Sequence, residues 1–478
     1  MHASEEKRIP LTRFAAVALA AVALLGLLFV GCAQEHSVTD SHGDPANPNI
    51  VLFYIDDLGW KDVGFNGSTY YETPNIDRLA REGVIFTDAY ANAPNCAPSR
   101  ASLMTGLYTP RHKIYTVNSS ARGQEENRRM IPVPNTDTLA LHYVTLAEAL
   151  RDAGYTTGHF GKWHLGDTGF FPEDQGFDVN VGGYHRGSPR GGYFSPYENP
   201  KLTDGPEGEY LTDRLTDEAL RFIDQNEDQP FFLYLTHYAV HTPLQAKADL
   251  KAKYEHKTPD DGQDNPTYAA MIESTDQSVG RILDRLDELG LTDDTVVIFY
   301  SDNGGAVQAT SNEPLRGYKG MLYEGGIRVP LAMKWPGKIT RDRTDATPVI
   351  GTDLYPTLLE IAGAAAPARD LDGVSLLPLL EGTGTLEERA LYWHFPAYLE
   401  APRRLPGPWR TTPVGGIRRG DYKLIEFFED GTLELYDLRN DLGETTNLAD
   451  QMPEQVEALH ATLTTWREEV GADMPTPK

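Results

Sequence analysis

The segment "PNIVLFYIDDLGW" (residues 48–60) is the part of the chain that first indicates the fold class. Its apolar run from Ile50 to Ile55 is uninterrupted and ends at Asp56 and Asp57. A strand with apolar side chains on both faces is typical of a parallel sheet that helices cover on both sides. The segment therefore predicts a buried strand with two carboxylates directly after its carboxyl end.

Three further segments have the same design, an apolar run that leads into polar residues: "TTGHFGKWHLG" (156–166), "FFLYLTHYAVHTP" (231–243) and "DTVVIFYSDNGG" (294–305). Helical patterns lie over residues 75–83 with Asn75 as the cap, over 145–154 with a capping box, and over 267–289. Strands that alternate with helices predict an α/β fold with a large mixed, mainly parallel sheet sandwiched by helices.

The sequence changes character after about residue 383. Short apolar segments with turn signals at 419–421 and 429–431 predict antiparallel strands, and residues 453–470 predict a terminal amphipathic helix. We therefore expect a larger domain over residues 48–383 and a smaller C-terminal α+β domain over 384–478 that carries an antiparallel sheet.

The composition limits the classes of partner. The 478 residues carry a formal net charge of −27, and 40% of them are hydrophobic, which is ordinary for a globular protein. Such an acidic surface repels nucleic acids and anionic membranes, so we expect no nucleic-acid partner. An anionic substrate would need a local cluster of basic residues.

Residues 1–31 are typical of an export signal, because basic residues precede an apolar run over 14–30. Cys32 follows "LFVG", a pattern that resembles the bacterial lipoprotein box. We expect a lipid anchor at Cys32, with cleavage by an ordinary signal peptidase or a retained anchor as the alternatives. Residues 32–47 would then form a polar tether. The expected location is the periplasm, or the outer membrane or cell surface as a lipoprotein.

The residues that can carry chemistry directly follow the four predicted strands. In α/β sheets, ligands bind in the crevice beyond the carboxyl ends of the strands. Oxygen-only donors, such as the Asp and Asn pairs after two of these strands, suit a hard cation like Ca²⁺ or Mg²⁺. The alternative is that each pair caps the turn after its strand. We expect one shared site that contains Asp56, Asp57, Lys162, His164, His241, Asp302 and Asn303.

Cys96 lies in "NCAPSRASLMTG" (95–106), a polar segment with a proline on either side of the cysteine. The other cysteine of the chain, Cys32, is expected to be consumed by the lipid anchor, so Cys96 has no disulfide partner. A single cysteine in an exported protein is buried and inert, reactive, or modified.

The pattern Cys-x-Pro-Ser-Arg followed by Met-Thr-Gly, from Cys96 to Gly106, resembles the signature of the type I, formylglycine-dependent sulfatases. The segment "LYDLRNDLGETTNLA" resembles the closing hairpin of bacterial members, which include arylsulfatases and polysaccharide sulfatases. The resemblance implies an alkaline-phosphatase-like fold with the catalytic domain over 48–383. Five other segments agree with the family in order and approximate spacing over residues 49–335: "NIVLFYIDDLGW", "GYTTGHFGKWHLG", "AVHTPL", "FYSDNGG" and "RGYKGMLYEGGIRVP".

The resemblance implies that a sulfatase-maturing, formylglycine-generating enzyme oxidises Cys96 to Cα-formylglycine during export. One hydroxyl of the hydrated aldehyde attacks sulfur while the ester oxygen leaves, and the second hydroxyl lets the aldehyde reform and sulfate depart. The implied ligands of the cation, which is Ca²⁺ with Mg²⁺ as the alternative, are Asp56, Asp57, Asp302, Asn303 and residue 96. The implied catalytic roles are hydrate stabilisation by Arg100 and Lys162, base for His164, acid for His241 and sulfate binding for Lys319.

The sequence thus predicts an enzyme that hydrolyses sulfate esters of a sulfated carbohydrate, with small aryl sulfates as assay substrates. Two alternatives stay open: a phosphonate or phosphate ester hydrolase on the same fold, and a surface protein that binds sulfated glycans without turnover. Loop residues supply further candidates for substrate contacts, each with a packing role as the alternative. These candidates are His112, His185, Arg186, Trp393 and His394.

Overall fold

The computed structural model describes residues 47–403 and 405–478. The predicted export signal (1–31), the predicted anchor at Cys32 and the predicted tether (32–47), except for its last residue, lie outside the described residues. Within the described ranges, no helix combines the length and the apolar character needed to cross a membrane.

Strands and helices alternate through the larger part of the chain, and strands dominate after residue 389. The strands are β1 (Asn49–Ile55), β2 (Val84–Phe86), β3 (Ala89–Tyr90), β4 (Met130–Ile131), β5 (Thr156–Gly161), β6 (Val179–Val181), β7 (Phe231–Thr236), β8 (Thr295–Ser301), β9 (Leu331–Lys334), β10 (Arg343–Asp345), β11 (Val349–Ile350), β12 (Ala390–Phe395), β13 (Leu399–Glu400), β14 (Trp409–Thr411), β15 (Val414–Arg419), β16 (Tyr422–Phe427), β17 (Thr432–Asp437) and β18 (Thr476–Pro477). The helices are α1 (Pro74–Arg81), α2 (Cys96–Thr105), α3 (Thr109–His112), α4 (Leu146–Asp152), α5 (Leu211–Gln225), α6 (Ala248–Tyr254), α7 (Pro266–Glu288), α8 (Glu324–Ile327), α9 (Leu354–Ile361), α10 (Leu377–Glu381) and α11 (Pro453–Glu469). Short 3₁₀ helices lie at Gly64–Asn66, Glu125–Asn127, Pro172–Gln175 and Gly351–Asp353.

The large sheet has the strand order β10-β2-β9-β8-β1-β7-β5-β6. Its central strands β8, β1, β7 and β5 are all parallel to their neighbours in this set, whereas β9 runs antiparallel to both β8 and β2. The prediction of a mixed, mainly parallel sheet is therefore confirmed. Because the four central strands point the same way, their carboxyl ends lie at one edge of the sheet.

The two faces of strand β1 pack into two different hydrophobic cores. Val51 and Phe53 point to the core that contains α1, α5 and α7. Ile50 and Leu52 point to the opposite core, which contains α2, α4 and α9. Fully burying each such side chain contributes about 1.5–3 kcal/mol. Helices on both faces explain why the strand has no polar side.

The starts of two helices test the predicted caps. At α4 the predicted capping box is confirmed. Thr145 Oγ1 accepts the Glu148 backbone N–H (3.1 Å), and the Glu148 carboxylate accepts the Thr145 backbone N–H (2.8 Å). The predicted cap Asn75 is wrong. The proline at residue 74 starts α1, and the Asn75 amide instead donates to Asp276 of α7 at 2.8 Å.

The C-terminal part contains the predicted antiparallel sheet, with the order β12-β15-β16-β17 and helix α11 packed against it. The core of this sheet also includes Tyr90 and Leu322 from the larger part. Lys423 of β16 is fully buried and bonds Glu324 (2.8 Å) and Glu444 (2.9 Å). The sheet thus shares both apolar and ionic contacts with the larger part, and the domain boundary at 383/384 stays a prediction.

Candidate active site

Four neighbouring parallel strands deliver the candidate residues to one edge of the large sheet. Strands β8, β1, β7 and β5 end just before Asp302, Asp56, His237 and Lys162, respectively. The structure brings one further segment to this edge, the start of helix α2 at Cys96, since the Cys96 thiol lies 3.5 Å from His164 Nδ1. The predicted convergence is thus present in the fold.

The carboxylates of this edge are buried and close to one another. One ligand atom each of Asp56, Cys96 and Asp302 lies within 4.8 Å of the other two, and the same holds for Asp56, Asp57 and His241. Asp56 Oδ1 and Asn303 Oδ1 are buried and have no hydrogen-bond partner among the described residues. A buried acceptor without a partner is costly. These oxygens therefore fit a hard cation that is ligated by oxygen.

Two of the carboxylates form fully buried ion pairs. Lys162 Nζ lies 2.7 Å from Asp56 Oδ2, and Arg100 donates to Asp302 Oδ2 from Nε (3.0 Å) and Nη2 (2.7 Å). Burial still raises the pKa of Asp56, and burial together with the Asp56 charge raises the pKa of Asp302 to about 6. Additional positive charge would stabilise both ionised carboxylates.

Asp57 has a different set of partners. Lys319 Nζ lies 2.5 Å from Asp57 Oδ1, and the Asn303 amide donates to the same oxygen at 2.9 Å. His241 Nε2 lies 3.8 Å from the other oxygen, Oδ2. Burial opposes ionisation of Asp57, but Lys319 and His241 outweigh it and hold the pKa of this carboxyl well below its usual range.

Cys96 is the first residue of helix α2, and Asn95 caps that helix by accepting the Cys96 backbone N–H at 3.0 Å. The thiol is buried, and this burial raises its pKa above the usual range. An unmodified Cys96 would therefore be a neutral thiol rather than a thiolate, and a poor nucleophile. The positive end of the helix dipole favours negative charge developing at this residue.

Burial and neighbouring positive charges disfavour the protonated form of both histidines of the site. Burial and the Lys162 charge hold the pKa of His164 well below its usual range, and burial with the Lys319 charge lowers the pKa of His241 to about 3. His241 Nδ1 lies 2.6 Å from the Thr242 carbonyl oxygen, so Nδ1 carries the hydrogen and donates it. The other ring nitrogen, Nε2, is the one directed at Asp57.

Asp57 and His164 both adopt a left-handed backbone conformation, each with φ of 63°. For residues other than glycine this conformation costs about 1–3 kcal/mol and is frequent at functional sites. Gly187 packs directly on the His164 ring, because a Cβ at residue 187 would lie 2.3 Å from its Cε1 atom. The chain thus holds the His164 imidazole in a defined orientation.

These residues surround a cleft of about 390 Å³, which we call the active cleft. Of the predicted residues, Asp57, Cys96, His164, His241, Lys319, His185 and Arg186 line it. Asp56, Arg100, Lys162, Asp302 and Asn303 lie behind its wall and are buried. The alternative histidine of the same segment, His237, is also buried, and it bonds Ser278 at 2.9 Å instead of reaching the cleft.

Three predicted substrate contacts are corrected, because the structure places them in the packed interior. His112 bonds Ser102 Oγ at 3.0 Å. The Trp393 indole donates to the Ala91 carbonyl at 2.9 Å, and its ring packs edge-on against another aromatic ring. His394 Nε2 lies 2.9 Å from the Asp473 carbonyl. All three are at most 4% exposed, so they are packing residues rather than substrate contacts.

Sequence reasoning missed several residues of the cleft wall. These are Asn95, Val117, Asn118, Arg122, Gly187, Ser188, Gln308, Leu399 and Arg410. Asn95 caps helix α2, which the sequence analysis did not predict, although an asparagine is a common cap residue. Arg122 and Arg410 belong to no motif, and their positions depend on how distant loops pack.

Comparisons with known proteins agree with this site. The family model "Sulfatase" matches residues 48–364, and the model "N-sulphoglucosamine sulphohydrolase, C-terminal" matches residues 317–469. A sulfatase of Formosa agariphila is 37% identical over 481 residues, 85% of this chain and 85% of its own length. The N-acetylgalactosamine-6-sulfatase of Homo sapiens is 35% identical over 382 residues, 74% of this chain and 69% of its own.

Among solved structures, the crystal structure of Ps i-CgsB in complex with k-i-k-neocarrahexaose superposes with a TM-score of 0.74. It is 31% identical and covers 88% of this chain and 92% of its own. The match of a family model to most of the chain agrees with the strand-end residues and with the position of Cys96. The chain therefore belongs to the sulfatase family, and it is a sulfate ester hydrolase on an alkaline-phosphatase-like fold.

Proposed function

We propose that this sulfatase cleaves sulfate esters of a sulfated carbohydrate with a formylglycine derived from Cys96 and a divalent cation. The observation that carries the proposal is the position of Cys96. It lies at the start of helix α2, in the same cleft as His164 and His241 and next to buried carboxylates with unpartnered oxygens. A neutral, buried thiol has little use there unless it is converted to another group.

The cation would be held by side-chain oxygens and by residue 96, and Ca²⁺ fits this donor set with Mg²⁺ as the alternative. Ca²⁺ accepts six to eight oxygen ligands in flexible geometry, whereas Mg²⁺ demands near-ideal octahedral geometry and usually keeps several waters. When bound, such a cation polarises the sulfate group and favours the ionised form of a hydroxyl next to it. The residues that would hold it are Asp56, Asp57, Asp302, Asn303 and residue 96.

Of the chain's other charged residues, Lys319 would bind the sulfate, and Arg100 and Lys162 would stabilise the charges around residue 96. Lys319 lines the active cleft, where its ammonium can contact the sulfate oxygens. Arg100 and Lys162 lie behind the wall, where they balance the charges of Asp302 and Asp56. Fixed cations in a buried site stabilise charge that develops in the transition state by several kcal/mol.

The two histidines suit opposite proton transfers. His164 is neutral and its Nδ1 faces residue 96, so it can take the proton from the hydroxyl there. His241 donates from Nδ1 to a backbone carbonyl, so it must bind a second proton at Nε2 before it can protonate the leaving alcohol. The nearby Asp57 carboxylate and an anionic substrate both favour that protonated form.

We expect His241→Ala to slow substrates with poor leaving groups far more than activated aryl sulfates. An alkyl alcohol needs a proton as it leaves, and general acid catalysis contributes about 10²–10⁴-fold. An activated phenolate leaves without a proton, so its loss should be only a few-fold. The measurement is kcat/KM on a sugar sulfate and on 4-nitrophenyl sulfate, with His256→Ala, an exposed histidine outside the cleft, as the control. Equal losses on both substrates would remove His241 from the role of acid.

The relatives support a carbohydrate substrate. One similar protein is named an N-acetylgalactosamine-6-sulfatase, and a similar structure contains an oligosaccharide.

We further propose that the chain is exported as a lipoprotein anchored at Cys32, to the periplasm, outer membrane or cell surface, and that a formylglycine-generating enzyme matures it on the way. The acidic composition supports a soluble body away from anionic membranes and nucleic acids.

Two measurements test this proposal. The first is peptide mass spectrometry across residue 96 on protein from its own host, and the second is the turnover of matched sulfate and phosphate esters. We expect formylglycine at residue 96 and release of sulfate. Unmodified cysteine without sulfate release would overturn the proposed mechanism. Faster release of phosphate than of sulfate would favour the phosphonate or phosphate ester hydrolase instead.

A further inference from the structure

Apart from the exposed Arg186, the lysines and arginines around the active cleft divide into two groups. Lys162, Arg100 and Lys319 are each paired with a carboxylate of the proposed cation site. In contrast, Arg122 and Arg410 line the same cleft and form no ion pair with any residue that the structure describes. The hydrogen bonds of their guanidinium groups within the described part go to backbone carbonyls.

Arg410 is held firmly against the cleft wall. It lies on β14, is half-buried, and its Nη1 donates to the Lys319 carbonyl oxygen at 3.1 Å. A Cβ at Gly320 would lie 2.6 Å from the Arg410 Cδ atom and 2.8 Å from Leu399, so the glycine leaves room for this side chain. Arg410 Nε is buried and has no partner among the described residues. The guanidinium, which lies next to the Lys319 carbonyl, thus keeps a donor that no described residue satisfies.

Arg122 approaches Arg410 from a different loop. Its Nη2 donates to the Val117 carbonyl at 2.6 Å. Burial lowers the pKa of Arg410, Asp57 opposes this effect, and the positive charge of Arg122 lowers the pKa again. Glu400 also raises the pKa of Arg410, and its carboxylate accepts the Gly123 backbone N–H at 3.1 Å. Both guanidinium groups therefore line the active cleft, and neither forms an ion pair with a carboxylate that the structure describes.

This arrangement is unfavourable in the free protein. Like charges repel each other, and a half-buried cation without an anionic partner loses part of its hydration. A shortage of carboxylates does not explain it, because the chain has 70 Asp and Glu residues against 43 Lys and Arg. Arginine presents a planar fork of donors that matches the oxygens of sulfate and carboxylate groups. The missing partner is therefore best supplied by the substrate.

We propose that Arg122 and Arg410 form a second anion site, which binds a sulfate or carboxylate group of the substrate other than the sulfate that is cleaved. This inference rests on the proposed function and narrows the substrate class to carbohydrates with at least two anionic groups. The backbone bond from Arg410 to Lys319 fixes the second site relative to the residue that contacts the cleaved sulfate. The enzyme would therefore select for the spacing between the two groups.

The test compares matched substrates on the wild type and on Arg122→Gln and Arg410→Gln. One pair is N-acetylgalactosamine 6-sulfate and its 4,6-disulfate. The other is a disaccharide of glucuronate with N-acetylgalactosamine 6-sulfate and its glucose analogue. We expect the wild type to prefer the member with the second anionic group in one of the two pairs. A preference in the first pair would show that the second site binds a sulfate, and a preference in the second pair that it binds a carboxylate. Each variant should lower that kcat/KM ratio about 10- to 100-fold, mainly through KM.

Arg439→Gln is the control, because Arg439 is an exposed residue near the C-terminal sheet that does not line the cleft, and its loss changes the net charge equally. Its ratio should stay at the wild-type value. The same pairs are also measured as ligands of the Cys96→Ala protein by calorimetry, so that the second site is tested even if no substrate is turned over. Absence of turnover with intact selective binding would count against the proposed function alone.

Three results would overturn the second site. The first is that the wild type shows equal kcat/KM and equal affinity for both members of both pairs. The second is that the kcat/KM ratio stays unchanged in both arginine variants. The third is that Arg439→Gln lowers this ratio as much as the two arginine variants do. Melting temperatures identify a variant that fails to fold, and the second arginine variant then still decides the question.

Discussion

Cys96→Ala should lower the turnover of every sulfate ester by at least about 10⁴-fold. The proposed nucleophile is a hydroxyl of a group made from Cys96, and alanine offers no atom that could replace it. His164 and His241 would then have no reacting hydroxyl between them. The measurement is sulfate release with purified protein, together with the peptide mass across residue 96 in the wild type.

The fold should survive this substitution. The Cys96 backbone N–H remains capped by Asn95, and the change removes one sulfur atom from the start of helix α2, so we expect a stability loss of about 1 kcal/mol. Thermal unfolding checks that expectation.

Cys96→Ser is a second comparison. A serine has one hydroxyl and could accept at most one sulfate per protein, since no second hydroxyl is present to expel it. Activity of Cys96→Ala within tenfold of the wild type would exclude Cys96 as the source of the nucleophile.

Removal of the divalent cation with a chelator should lower activity by about 10³-fold, equivalent to roughly 4 kcal/mol of transition-state stabilisation. Added Ca²⁺ should restore it. The cation should also stabilise the fold, by about 2.7 kcal/mol at a free concentration 100 times its Kd. Elemental analysis and thermal unfolding, each with and without the chelator, measure both effects. Full activity in metal-free protein would contradict the proposed role of the cation.

Asp302→Ala should lower metal content and activity together, and the chain offers a matched control. Asp302 and its partner Arg100 are both buried, and Asp353 is a second buried carboxylate that pairs with the half-buried Arg389, whose Nη1 lies 2.7 Å from Asp353 Oδ1. Breaking the Asp302 pair leaves a buried arginine and costs about 3–5 kcal/mol, and breaking the Asp353 pair should cost less because Arg389 is half-buried. Only Asp302→Ala should lose the cation. A fully metallated Asp302→Ala protein would remove Asp302 from the ligand set.

The strand ends were the most predictable part of this protein. An uninterrupted apolar run such as Ile50 to Ile55 identifies a doubly covered strand from local sequence, and its carboxyl end then locates Asp56 and Asp57. The Thr145 capping box could be predicted for the same reason, since both of its partners lie within one helical turn. Local patterns succeed where the interacting residues are close in sequence.

Predictions failed where packing decided the outcome. Asn75 has the right side chain for a cap, but Pro74 starts the helix and Asp276, from a different helix, takes the asparagine amide. Trp393 and His394 were predicted as substrate contacts because they were interpreted as loop residues. Their strand β12 is instead covered by helix α11 and by the larger part of the chain, which leaves both side chains at most 2% exposed.

The sequence by itself determined the fold class and the four strands that lead into the site, because these depend on apolar runs, and the candidate catalytic residues followed from the resemblance of short motifs to a known family. The tertiary structure alone decided which cation pairs with which carboxylate. Arg100 meets Asp302 across 202 residues of sequence. It alone also placed Arg410 beside Lys319, 91 residues away. Such contacts form between segments that only the packed sheet and its loops bring together, and no local pattern specifies them.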